Sequence, residues 1–333
     1  MNDKRLSAAF RPLQDAQRLQ VVRAEQSWVE RFSPPEHDAE FVVNFGCGVR
    51  YTPHLMLETV GVLTALDVDF AAVAGPGWCC GQPYIEVGRL ASGRNMATNS
   101  ARRMAAYRPT RTVHWCGAWW PQLDSAFPNG DAPFGIEHIT AFMTGRLRER
   151  AGQIPWQVEI GADVLVHLKS RDLIDYTDRA SPMAAIEAAV PAAVEMIPGM
   201  RVVGDAPTPA RGAPCTMTDD GRSILDELDP AEMAAVRGEL AAATRAAGAR
   251  MIVTSHQACD REWGKYAGPD LPIRHYISLL AEALGVSRPD RFHEYWRLAD
   301  PESVVERARP AWESWGLTAP EALRIALSLF PAR

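Results

Sequence analysis

The 333-residue chain has almost no excess of charge. Its 35 Lys and Arg stand against 41 Asp and Glu, a formal net charge of −6. The two signs are interspersed, which offers no basic face to nucleic acid and none to an anionic membrane surface. No apolar run approaches the roughly 18–20 residues that span a bilayer. The opening stretch MNDKRLSAAFRPLQDAQRLQ is charged and lacks the apolar centre of a signal peptide. A soluble, cytoplasmic protein is expected. The glycine-rich GPGWCCG at 75–81 matches neither G-x-G-x-x-G nor a Walker motif, so nucleotide binding is not indicated. The Cys-x-x-Cys-x-x-Cys run of a ferredoxin module is also missing, and with it an electron relay of the chain's own. Six cysteines in a reducing compartment do not make a disulfide framework; clustered there, they point to metal or redox chemistry.

What is present alternates strand and helix. EFVVNF (40–45), DFAAVA (69–74) and RTVHW (111–115) read as short buried strands, each β-branched or aromatic. Between them, 52–66 and 84–107 have helical spacing, with Pro53 suited to a first turn. A turn-rich break at 126–135 leads into the helix HITAFMTGRLRER. The order then recurs: strand 162–168, helix 181–197 interrupted at Pro191, strand 201–205, a Pro- and Gly-rich loop, helix 230–248 and strand 250–255. Such alternation implies parallel sheets covered by helices, an α/β fold of two tandem Rossmann-like halves related by internal duplication. The expected organisation is a helical lead-in over 1–38, a first domain over 39–150, a second over 151–286 and a helical tail over 287–333 with Trp296, Trp312 and Trp315.

Four cysteines fall at equivalent points of the first half. Cys47 follows the first strand, Cys79 and Cys80 the second, and Cys116 the third. The carboxyl edge of a parallel sheet is where ligands bind, so residues far apart in sequence should meet there. Convergent thiolates suit an iron–sulfur cluster or zinc. A single cysteine is more often a small buried hydrophobe, and Cys215 taken alone reads that way. Gly81 lets the backbone come close to a bound group.

These motifs, NFGCGVRYTP and GWCCGQP with Cys116 beyond, resemble the cysteine-rich CCG domain found in the B-type component of heterodisulfide reductase and in the iron–sulfur components of glycolate and lactate oxidases. The likeness covers about residues 40–285, and the spacings of 32 residues from Cys47 to Cys79 and 36 from Cys80 to Cys116 agree with it. It implies an iron–sulfur cluster on Cys47, Cys79, Cys80 and Cys116, of the 4Fe-4S type, cubane or non-cubane. It also implies a thiol or disulfide substrate and two partners, a ferredoxin-like C-type subunit and a flavin-bearing A-type subunit. The family closes each motif with Cys-x-x-Cys; here Trp119 occupies the second position. A non-cubane cluster would then need a substitute ligand or an open iron. In the second copy Ser170 replaces the first cysteine, Cys215 alone stands for CCG, and HQAC supplies His256 and Cys259. Those three, with His167, Asp219 or Asp220, suit zinc; Cys215 and Cys259 alternatively suit a redox dithiol, or the site is vestigial.

Other residues have two readings each. His114 could hydrogen-bond a cluster sulfur or donate a proton, or be a satisfied core histidine. Trp78, Trp115, Trp119 and Trp120 could form a dry wall round the site or a flat patch for a partner. Arg50 and Tyr51 could position an anionic substrate or make ordinary loop contacts. Nothing ties His275 to chemistry. Three functions follow: a thiol–disulfide redox subunit of a heterodisulfide-reductase-like complex, an electron-transfer subunit of a dehydrogenase, or a zinc-stabilised binding protein.

Overall fold

The structure is a computed structural model that describes residues 15–26, 37–127, 130–168, 183–209 and 228–332. Two four-stranded sheets form its frame. In the first, β1 (Phe41–Asn44), β2 (Phe70–Val73), β3 (Arg111–His114) and β4 (Gly135–His138) lie in the order β2-β1-β3-β4. In the second, β5 (Ala162–His167), β6 (Met200–Asp205), β7 (Met251–Thr254) and β8 (Ile273–His275) repeat it as β6-β5-β7-β8. All pairings within the sheets are parallel. β1 is buried along its whole length, as its run of large apolar residues requires when helices cover both faces.

Two strands go beyond the sequence reading. β4 and β8 are three or four residues long and run straight into helices, so neither carries a period of its own. Each ends in a histidine that caps the next helix. His138 Nδ1 accepts the Thr140 N–H at the start of α5 (Ile139–Glu149), and His275 Nδ1 accepts the Ile277 N–H at the start of α9 (Tyr276–Ala283).

The remaining helices of the halves are α1 (Pro53–Ala65), α2 (Gln82–Glu86), α3 (Leu90–Ala105), α4 (Trp119–Ala126), α6 (Met183–Glu195), α7 (Pro230–Ala246) and α8 (Gln257–Trp263). The single helix expected over 84–107 is two, parted at Gly88, whose φ of 81° no right-handed helix allows. Conversely, the helix expected to break at Pro191 runs through it. The lead-in does not form a continuous helix over its described part: residues 17–19 and 23–25 are separate 3-10 turns. The tail folds as α10 (Arg291–Leu298), α11 (Pro301–Arg307), α12 (Arg309–Ser314) and α13 (Ala319–Leu329) around Phe292, Tyr295, Trp312 and Phe330, with Leu19 of the lead-in in the same cluster.

The halves share one core. A single apolar cluster takes Phe41, Leu55, Trp115 and Phe142 from the first half and Val164, Val190, Tyr276 and Leu280 from the second. α1 packs on α9, and α6 packs on α5. Since α1 corresponds to α6 and α5 to α9, these contacts are the same contact made twice, as a duplicated unit folded about a local two-fold would make it. Buried bonds fasten both: Ser278 Oγ donates to Glu58 at 2.6 Å, and Thr144 Oγ1 to the Ala189 carbonyl at 2.8 Å.

Candidate metal–thiolate site

Cys47 caps the short turn after β1, the 79–80 pair follows β2, and Cys116 follows β3. Asn44, the polar end of an otherwise apolar strand, ties the first two loops together. Its Nδ2 donates to the Trp78 carbonyl at 3.1 Å and its Oδ1 accepts the Gly46 N–H at 2.8 Å. From α3, Ser100 Oγ donates to the Cys79 carbonyl at 3.0 Å, and Arg103 to that of Gly77 at 2.7 Å. Gly81 is held by the chain on both counts that matter: its φ is 80°, and a Cβ there would lie 2.1 Å from the Gly93 carbonyl oxygen of α3.

The four sulfurs are strung in the order Cys47, Cys79, Cys80, Cys116. Cys79 Sγ and Cys47 Sγ are 3.8 Å apart, and Cys80 bonds both Cys79 and Cys116. Cys79 and Cys80 are buried, while Cys47 and Cys116 are half-buried. The site therefore has a closed base and a side that reaches solvent. Hydrogen bonds shared with Cys47 and Cys80, and one donated by the Gly81 N–H at 3.4 Å, hold Cys79 well below the ordinary thiol value. Cys47 is pushed up by its bond to Cys79 and by burial, Cys80 by its bonds to Cys116 and Cys79 and by burial.

A zinc ion with Zn–S bonds of about 2.3 Å needs S···S edges of about 3.8 Å on all sides. Cys47 and Cys79 meet that spacing, but no three of the four sulfurs lie within 4.8 Å of one another. Four thiols meeting on one sheet edge are a donor set known for zinc and for iron–sulfur clusters alike.

Trp78 and Trp119 are buried in the same apolar cluster as Cys79 and Cys80, a dry wall. Trp115 turns the other way and stacks on His275 of the second half at 5.5 Å and 18°. With three of the four tryptophans buried, they form no flat partner patch. His114 is buried and uncharged; burial first, then His138, lowers it to about 3. Thr112 Oγ1 donates to the Gly135 carbonyl and lies 2.9 Å from His114 Nε2, so Nε2 carries the proton and Nδ1 is a bare acceptor without a partner. The ring therefore offers a lone pair, not a proton. Arg50 is buried against Gln17 Oε1 at 2.8 Å, and Tyr51 lies under Arg261 of α8 at 4.6 Å. Both contacts are structural.

The described second-half residues do not gather in this way. Cys259 is fully buried among Leu165, Ile252 and Trp263, a core position. His256 caps α8 through Nδ1, and His167 packs on Trp263 at 4.3 Å. Ser170, Cys215, Asp219 and Asp220 lie outside the described residues. Instead α8 reaches across: a Cβ on Gly48, next to Cys47, would lie 2.9 Å from Gln257 Nε2.

Among the described residues no helix is long and apolar enough to cross a membrane. The chain matches no protein-family model, and no curated protein matches it.

Proposed function

We propose that the chain is the redox subunit of a cytoplasmic heterodisulfide-reductase-like complex, holding an iron–sulfur cluster on Cys47, Cys79, Cys80 and Cys116 and acting on a thiol, a disulfide or a thiol-bound sulfur. The observation that supports it is the convergence of four thiols from three loops on one sheet edge, with two sulfurs buried and two toward solvent. When bound, such a cluster supplies single-electron exchange. The chain's own residues set its surroundings. The Gly81 N–H stabilises negative charge on Cys79, as amide bonds to cluster sulfurs do. Trp78 and Trp119 keep water from the base. Cys47 and Cys116 mark the side from which a substrate sulfur would approach. Without a ferredoxin run, electrons would come from a C-type partner fed by a flavin-bearing A-type subunit.

The test is iron, zinc and acid-labile sulfide content of anaerobically purified protein, with its visible spectrum. About four iron and four sulfide per chain are expected. Zinc without sulfide would move the reading to a binding protein. Iron and sulfide without turnover of any disulfide, in the presence of a reductant, would leave an electron-transfer subunit.

A further inference from the structure

We propose a second metal site, a divalent-cation site of mixed nitrogen and oxygen donors formed by His54, Asp260 and Asp290, where the two halves and the tail meet. It does not depend on what the cysteines hold. His54 lies in the first turn of α1, Asp260 on α8, and Asp290 caps α10. One donor atom from each lies within 4.8 Å of the others. Around an ion with bonds of about 2.1 Å, donors stand about 3.4–4.2 Å apart, so a closure of a few tenths of an ångström completes the set.

Two donors are buried and unpartnered. His54 and Asp260 are each 3% exposed. His54 Nδ1 makes no hydrogen bond and stands 3.7 Å from Asp290 Oδ1, and Asp260 Oδ2 has no hydrogen-bond partner. Buried polar atoms of this kind are rare in a settled core and mark a missing partner.

The surroundings suit a metal. His293 bonds Asp290 Oδ2 through Nδ1 and lies 3.1 Å from the Arg261 carbonyl through Nε2. Both acceptors need an N–H, so the ring is an imidazolium that orients Asp290 from behind. Thr254 Oγ1 stands 3.5 Å from Asp260 Oδ1. With Asp260 ionised, the cluster then carries two carboxylates against one imidazolium, a deficit that a divalent ion fills. His54 also lines a cavity of about 340 Å³ bounded by Arg288, Arg291 and Arg307. Nitrogen and carboxylate donors without thiolate select a zinc-type first-row ion. Its position has a consequence for the thiols: an ion bridging α1, α8 and α10 fixes the helix that carries Gln257 and Arg261 over the Cys47 loop.

The full chain, dialysed against EDTA, is titrated with Zn²⁺ while bound zinc and Tm are followed. One zinc per chain that persists in Cys80→Ser is expected, with Tm rising about 5 °C at a hundredfold excess over Kd. His54→Gln and Asp260→Asn should each abolish both. Asp260→Asn also removes a buried charge, so the zinc-dependent shift within each variant is read, not its baseline. Cys47→Ser replaces Cys80→Ser if the latter does not fold. Cobalt(II) provides an independent readout: weak visible bands without thiolate charge transfer support the site. No zinc-dependent shift, a shift that survives His54→Gln, or cobalt bands that vanish in the cysteine variant overturn it.

Discussion

The carboxyl edges of the two sheets have the same strand order and carry different chemistry. The first gathers four thiols in three loops; at the second, the equivalent loops hold His167, His256 and Cys259, engaged in stacking, helix capping and core packing. Among the described residues the same frame thus does other work at its second edge. Here that work is partly support of the first copy, since α8 lies over the Cys47 loop and His275 lies flat on Trp115. Topology is preserved by the hydrophobic core shared between the halves, which is indifferent to what stands at the strand ends.

The sharpest way to break the comparison is a pair of cysteine variants. Cys80→Ser should abolish iron and sulfide binding altogether. Cys259→Ser should leave both intact and cost about 1–3 kcal/mol, the penalty for a hydroxyl in an apolar core. Equal metal loss in the two, by elemental analysis, would make the halves functional equals.

Gly81→Ala comes next. Strain at positive φ and a Cβ against the Gly93 carbonyl together should destabilise the fold by at least about 3 kcal/mol in urea melts. Gly88→Ala, with the same sign of φ but open space, should lose only about 1 kcal/mol. Trp119→Cys supplies a fifth thiol in place of a fully buried indole and should cost about 3 kcal/mol. A changed EPR spectrum in that variant would mean that the cluster takes the added ligand; an unchanged one would mean that it is complete with four.

The last effect is one of pH. His275 is held uncharged in the fold, lowered from 6.5 to about 3 by burial first and by His54 second. Between those values the unfolded chain binds the proton and the fold does not. Stability should therefore fall by up to about 1.4 kcal/mol per pH unit as pH drops below about 6.5. His275→Asn keeps a capping acceptor and cannot titrate, so its acid melting profile should be flatter by that amount.

The architecture and the thiol site were legible because both depend on local signals. Short β-branched runs announce strands, and cysteines placed directly after them must meet if the strands are parallel. β4 and β8 were not, because each runs straight into a helix with no turn to mark its end, although IEHIT at 136–140 and IRHYI at 273–277 repeat the same strand–histidine–helix junction. The His54, Asp260 and Asp290 group was hidden for a different reason. Its members belong to a first half, a second half and a tail, and only the packing of three segments joins them. The local clue was His54 and Glu58, two polar residues four apart on a helix otherwise apolar on that face.

The stack of Trp115 on His275 also orders events in time. Synthesis delivers all four thiols of the first site before residue 120, whereas the residues that press on that region, Gln257, Arg261 and His275, emerge only with the last quarter of the chain. Until then the Cys47 loop has no lid and the indole of Trp115 has no partner. The nascent chain thus passes through a stage in which all four thiols have been made while the Cys47 loop is still open on the side that α8 later covers.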